Sequence, residues 1–205
     1  MVLSVPRFSS DMHLGYCQYG DGAACWARRH PDDPSVRNSF RGAMKDPLIR
    51  ALAKAAEGGF CEYMGFDPAA CLNFEPDVRD EGNIDVYYID AEGRLRTVNV
   101  KHSQTGKYLI TSLQRREHLT KGDGPELFVL VRVTGTNKGN DWVWDCVGWI
   151  SSAEFARRHR IKVEGDGTPR GIVPGTPYML AAELRPMVEL RLGGEIGLPY
   201  WEMVQ

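Results

Sequence analysis

Between Asp46 and Gly65 the apolar positions repeat with the period of a helix: Leu48, Leu52, Ala55, Ala56, Gly59 and Tyr63 fall on one face. Asp46 suits the N-cap, since its carboxylate accepts from first-turn amides that have no other partner, and Pro47 suits a turn that needs no N–H. Gly65 marks the end. Gly58 and Gly59, in the middle, each cost roughly 1 kcal/mol relative to alanine. Their presence points to a close approach of backbone or ligand.

The period then shortens to two. Ile84 to Ile89 and Leu95 to Lys101 read as strands joined by "DAEGR", where Asp90 and Gly93 are turn formers, so an antiparallel hairpin is predicted. There is room for a third strand before "SLQRREHL", a short helix with Leu113 and Leu119 inward and Arg115 and Arg116 outward. "ELFVLVRV" (126–133) and "DWVWDCVGWI" (141–150) are two further strands, rich in β-branched and aromatic residues. Ser151 and Glu154 fit a capping box that opens a helix to about Arg160. After a Gly/Pro-rich loop, "YMLAAELRPMVELRL" reads as helical until Pro186 interrupts it. Residues 1–45 show no clear period and predict irregular structure with a short helix around "SVRNSFRGAMK".

These elements predict a mixed α/β fold, with helices covering a mixed central sheet. We read one domain over 1–205: a core of about 47–160, an N-terminal extension 1–45 and a C-terminal extension 161–205. Two segments, 1–45 and the final "GGEIGLPYWEMVQ", receive no role.

Composition narrows the classes. A hydrophobic content of 42% and a charged content of 25% are those of a globular protein. No apolar run approaches the roughly 18 residues of a membrane span, and the start lacks the basic-then-apolar order of a secretory signal. A cytosolic location is expected. The five cysteines form no CxxC pair, and an odd count argues against a disulfide framework. Cys17, Cys25 and His30 lack an evident fourth ligand, so reduced thiols are expected.

The net charge of −2 exerts no overall pull on nucleic acid. Its distribution says more. Residues 67–92 are acidic, with Arg79 the one basic residue, whereas residues 94–121 are basic, with Glu117 the one acidic residue. Such a reversal can mark a phosphate-facing surface, or simply two solvated faces of opposite sign.

The chemistry gathers at the hairpin. Residues two apart share a strand face, so Asn99 and Lys101 point together. Folding back about Glu92 and Gly93 brings Asp85 opposite residues 99 and 100. A carboxylate, an amide oxygen, the Val100 carbonyl and an ammonium then share one patch. Hard oxygens of this kind suit Mg²⁺ or Mn²⁺, and a neighbouring lysine can orient water and offset charge on a phosphate. Glu57 or Glu62 could add a carboxylate from the preceding helix; Glu62 reads as surface and outside the site.

"GNIDVYYID" followed by "TVNVKHS" resembles the PD-(D/E)XK nuclease superfamily, whose signature is an aspartate, a hairpin and then Asp/Glu-x-Lys. "AEGGFCEYMGF" resembles the family's first core helix, with Glu57 eight residues before Gly65. The resemblance covers roughly 47–150, and its specificity lies in the order of short motifs. It implies a restriction-endonuclease-like fold, with Asp85 ligating a metal, Lys101 acting on the attacking water and Glu57 an auxiliary ligand. Small members of the family serve restriction, recombination or repair, some of them carried by phages. Position 99 departs from the pattern: asparagine stands where the family has a second acidic ligand. An active native variant, a natural loss of catalysis and an engineered substitution all account for it.

The expected partner is therefore nucleic acid, DNA in the first instance, with Gln104, Lys107, Arg115 and Arg116 as phosphate contacts. Each residue has an ordinary alternative. Asp85 could pair with a nearby cation, Lys101 could be an edge-strand charge, Glu57 a solvated helix residue, and His102 and His118 structural or surface histidines. Trp142, Trp144 and Trp149 could stack on bases, although burial of at least two is the simpler expectation. A nuclease, a nucleic-acid-binding protein that does not cleave, and a protein-interaction module on the same fold remain as functional classes.

Overall fold

The computed structural model describes residues 6–32, 45–74, 84–90, 92–111, 124–135, 142–165, 172–191 and 194–197. The predicted helices around 35–45 and 112–119 lie outside them, or almost entirely so. No described helix is long and apolar enough to cross a membrane.

The N-terminal region is more regular than its sequence pattern implied. Helix α1 runs from Ser10 to Arg29, with Ser9 Oγ accepting the Met12 N–H at the cap. Its buried face is Tyr16, Gly20, Ala23, Ala24 and Ala27. Those positions are helically spaced, but small residues give little hydropathy contrast, so the period is faint. Small size is what the packing needs: a Cβ on Gly20 would lie 2.3 Å from the Pro47 carbonyl oxygen of the next helix.

That helix, α2 (Pro47–Met64), begins and ends as expected. Asp46 Oδ1 accepts from Leu48 and Ile49, and Gly65 closes the helix in the left-handed region at φ 83°. A short helix α3 (Pro68–Cys71) follows.

Strand β1 (Val86–Asp90) pairs antiparallel with β2 (Leu95–Ser103), in register Val86 to Val98 and Ile89 to Leu95. After β3 (Tyr108–Ile110), β4 (Leu127–Thr134) lies parallel to β2, and β5 (Val143–Ser151) returns antiparallel to β4. The Ser151 hydroxyl then caps α4 (Ser152–Arg158) through the Glu154 N–H. β6 (Arg160–Ile161), β7 (Pro177–Leu180), α5 (Met187–Arg191) and β8 (Gly194–Gly197) complete the order. The main sheet is β5-β4-β2-β1-β8, a mixed sheet flanked by helices, and β3-β7-β6 form a second, smaller sheet.

The C-terminal prediction needs correction. "YMLAAELRPMVELRL" begins in a strand and passes through a 3₁₀ turn, Ala181–Glu183, before the α-helix starts at Met187. Pairing of Tyr178, Met179 and Leu180 with β3 overrides the local helix preference. Glu183 accepts the Leu180 N–H at 3.1 Å and pairs with Arg160, which holds the turn.

Alternation divides the core. Val98 and Val100 of β2 and Val129 and Val131 of β4 pack with α1 and α2. Phe128 and Leu130, on the other face of β4, pack with Leu109, Ile150, Phe155 and Met179.

Candidate functional site

The hairpin is fixed at its turn by Asp90. One carboxylate oxygen accepts the Glu92 and Arg94 amides at 3.0 and 2.9 Å, and the other accepts Nε of Arg94 and of Arg96, each at 2.9 Å. Burial works against its charge, but these donors outweigh burial and hold the carboxyl well below the usual carboxylate range. The register is thereby pinned about ten residues upstream of Lys101.

At the far end of β1 stands Asp85. Its N–H donates to the Val98 carbonyl at 2.9 Å, and its Oδ2 accepts the Val100 N–H at 2.7 Å. The carboxylate thus takes the place that the next backbone carbonyl of β1 would fill in the ladder. In an extended residue the N–H and C=O point the same way, so the Val100 carbonyl is directed to the side of β2 where Asp85 sits.

Asn99 and Lys101 flank Val100. By alternation they belong to the face of Phe128 and Leu130, their partners in β4. Asn99 is fully buried and Lys101 half-buried.

Glu57 comes from the other side. It sits on α2, over the face of Val98 and Val100, with Oε2 2.6 Å from Nζ of Lys54 and both side chains largely buried. Lys54 also lies 4.8 Å above the Tyr19 ring of α1, whose hydroxyl accepts from Arg50 at 2.9 Å. Burial would lower the Lys54 pKa; the charge of Glu57, Tyr19, the hydrogen bond to Glu57 and the charge of Asp85 together raise it instead. Lys54 therefore stays cationic. Sequence reasoning passed over it, although a lysine three residues before Glu57 on a largely apolar helix was a visible signal.

Gln104 and Lys107 are exposed in the loop after β2. Ser103 Oγ accepts the Gly106 N–H at 3.0 Å, Thr105 Oγ1 accepts the Lys107 N–H at 3.4 Å, and Gly106 takes φ 64°. Arg115, Arg116 and His118 lie outside the described residues. His102 is depressed below the usual histidine range by burial, with Nε2 3.4 Å from the Val133 carbonyl.

Several expectations resolve as packing. Trp142 and Trp144 are buried; Trp149 donates to the Pro186 carbonyl at 3.1 Å and carries Arg185 over its ring. Glu62 is no surface residue: it accepts the Trp144 indole N–H at 2.9 Å, and its half-buried place follows from the helix period. What approaches Gly58 and Gly59 is neither backbone nor ligand but the side chains of Tyr16 and Trp144. The cysteines are free thiols; Cys17 lies 3.9 Å from His13, and His30 Nδ1 2.9 Å from the Trp26 carbonyl oxygen.

Asp85 and the Val100 carbonyl are hard oxygens of the kind a divalent cation takes, but the expected single patch is divided: Asn99 and Lys101 belong to one face of β2 and Glu57 lies over the other. Among the described residues no group of three or more His, Cys, Asp or Glu side chains could hold a metal. A cation here would therefore complete its shell with water and substrate oxygens.

No family model, curated protein or solved structure matches the chain.

Proposed function

We propose that this protein is a metal-dependent nuclease of restriction-endonuclease-like fold, hydrolysing phosphodiester bonds with DNA as substrate. The observation that carries the reading is the bond from Val100 N–H to Asp85, at 2.7 Å. It ties the isolated aspartate to the Asn-x-Lys strand through the backbone of the residue between Asn99 and Lys101. The mixed sheet, with its hairpin and the parallel β2–β4 pair, is compatible with the same reading.

A bound Mg²⁺ or Mn²⁺ would polarise the scissile phosphate and acidify a water. Asp85 and the Val100 carbonyl would hold it; Asn99 and Glu57, the other expected ligands, lie over opposite faces of β2. The Lys101 ammonium orients the attacking water and offsets charge developing on the phosphate. Gln104 and Lys107, exposed in the loop after β2, contact the nucleic-acid backbone; Arg115 and Arg116 are the further phosphate contacts of this reading.

A second reading has its own support. Asn99 carries no charge, and Glu57 is already engaged by Lys54, which favours a protein that binds nucleic acid without cleaving it. One experiment separates the two. Purified protein is incubated with labelled DNA and RNA in Mg²⁺ or Mn²⁺, alongside Lys101→Ala and Asn99→Asp. Cleavage by the wild type that Lys101→Ala abolishes supports the nuclease. Cleavage by Asn99→Asp alone supports the binding protein. Absence of any nucleic-acid binding at low salt refutes both and favours an interaction module.

A further inference from the structure

Arginines far from the hairpin in sequence gather on one surface. Glu154 of α4 accepts from Arg158 with one carboxylate oxygen, and from Nε and Nη2 of Arg185 with the other, at 3.1 and 2.8 Å. Glu183 of the 3₁₀ turn takes Arg160 of β6 with both oxygens. Arg158 and Arg160 stand two residues apart, as do Glu183 and Arg185, so the two sets adjoin across α4, β6 and the turn. Arg157, the neighbour of Arg158 on α4, is exposed beside them. The two signs lie at different depths: the side chains of Arg158, Arg160 and Arg185 are 45, 43 and 49% exposed, those of Glu154 and Glu183 12 and 28%. The carboxylates thus sit beneath the cations they hold, and a guanidinium bound along one edge keeps N–H donors on the others. Arg185 is restrained further by the Trp149 ring, 5.2 Å below it.

Four guanidiniums therefore stand against two partly covered carboxylates, in a chain whose net charge is −2. A local surplus of this sign fits a polyanion, and the guanidinium fork matches the paired oxygens of a phosphate. The surface is also placed to serve the hairpin. Phe155 seats α4 on Phe128, with ring centroids 5.3 Å apart, and Phe128 stands opposite Asn99 in the β2–β4 ladder. The arginines thus lie on the side of the main sheet to which Asn99 and Lys101 belong. We propose that Arg157, Arg158, Arg160 and Arg185 form a docking surface for the sugar-phosphate backbone of nucleic acid. The inference rests on the reading of nucleic acid as the partner, and needs neither cleavage nor a bound metal.

The test follows binding of fluorescein-labelled DNA and RNA oligonucleotides by anisotropy across a salt series, with EDTA present so that no strand is cut. Wild type is compared with Arg157→Gln, with the double variant Arg157→Gln/Arg160→Gln, and with Arg29→Gln. The last removes one charge from the exposed final turn of α1, which packs on the opposite side of the sheet. Thermal unfolding verifies each fold. Arg157→Gln should lower the slope of log affinity against log salt by about one, and the double variant by about two, with affinity at low salt down on the order of tenfold. Arg29→Gln should change neither. Unchanged affinity and slope in folded Arg157→Gln overturn the proposal, whether or not the double variant folds. So does an equal loss in Arg29→Gln, which would reduce the effect to net charge. Either result leaves the nuclease reading standing if metal-dependent cleavage that requires Lys101 persists. Arginine-dependent binding by a wild type that cleaves nothing removes the nuclease reading and upholds the docking surface. Failure of the wild type to bind DNA or RNA at low salt removes both.

Discussion

The Trp144 indole N–H donates to the Glu62 carboxylate at 2.9 Å, joining β5 to the last turn of α2. Burial raises the Glu62 pKa, and the indole bond offsets this only in part. The folded state therefore favours the protonated acid. Its stabilising contribution is complete below the pKa of an unfolded glutamate and is lost as pH rises through the raised folded value. Glu62→Gln keeps an acceptor and cannot ionise. Denaturant unfolding from pH 4 to 8 should show the wild type losing stability relative to the variant as pH rises. Glu62→Ala, which strips the indole of its partner, should cost about 1–3 kcal/mol.

A second contact tests the glycines of α2. A Cβ at Gly58 would fall 1.7 Å from the Tyr16 hydroxyl oxygen and 2.7 Å from the ring carbon bearing it. Glycine to alanine in a helix interior normally gains roughly 1 kcal/mol. Here overpacking should reverse the sign and cost about 1–3 kcal/mol. The Tyr16 hydroxyl is buried with no hydrogen-bond partner among the described residues, so Tyr16→Phe alone should be nearly neutral. In that background Gly58→Ala should be less damaging, because the nearest clash is gone. A double-mutant cycle in thermal unfolding measures the difference, and strict additivity would contradict the contact.

These contacts also show where the sequence was legible. The Asp46 cap, the Gly65 end and the hairpin register rest on local chemistry within a few residues, and all can be read from the chain. The hairpin in turn made the proximity of Asp85 to residues 99 and 100 predictable. Helix α1 was illegible because its buried face is mostly glycine and alanine, which pattern weakly yet pack closely. Its meeting with α2 depends on contacts some thirty residues apart, such as Arg50 with Tyr19. Lys54 escaped notice for a similar reason: a lysine on a helix is ordinarily solvated, and only the packing that lays Tyr19 of α1 against it makes it an internal cation.

Position 99 offers a test of the metal reading through stability. Asn99 is fully buried. Asn99→Asp places a carboxylate there, and an uncompensated buried charge is costly. Without metal the variant should unfold at a lower temperature than wild type. With Mn²⁺ it should recover more than wild type gains, since ligand binding stabilises in proportion to affinity for the folded state. Differential scanning fluorimetry across a Mn²⁺ series reads both effects. A variant destabilised equally at all Mn²⁺ concentrations would place no cation at this position.

Asp85 has one observed duty and one proposed, and two substitutions divide them. Its Oδ2 accepts the Val100 N–H, a role that requires only an acceptor. On the proposed nuclease reading its charge would also attract a cation, which requires ionisation. Asp85→Ala removes both: the half-buried hairpin end loses its partner, at a cost of about 1–3 kcal/mol, and cleavage should vanish. Asp85→Asn retains an amide oxygen for Val100, so the unfolding midpoint should stay close to wild type. Its Mn²⁺ affinity with oligonucleotide present should nonetheless fall, and cleavage should vanish as in the alanine variant. The comparison is decisive because the two variants share the activity loss and differ in stability. If Asp85→Asn were folded, stable and still fully active, the carboxylate would serve the ladder alone, and the cation would have to be held elsewhere.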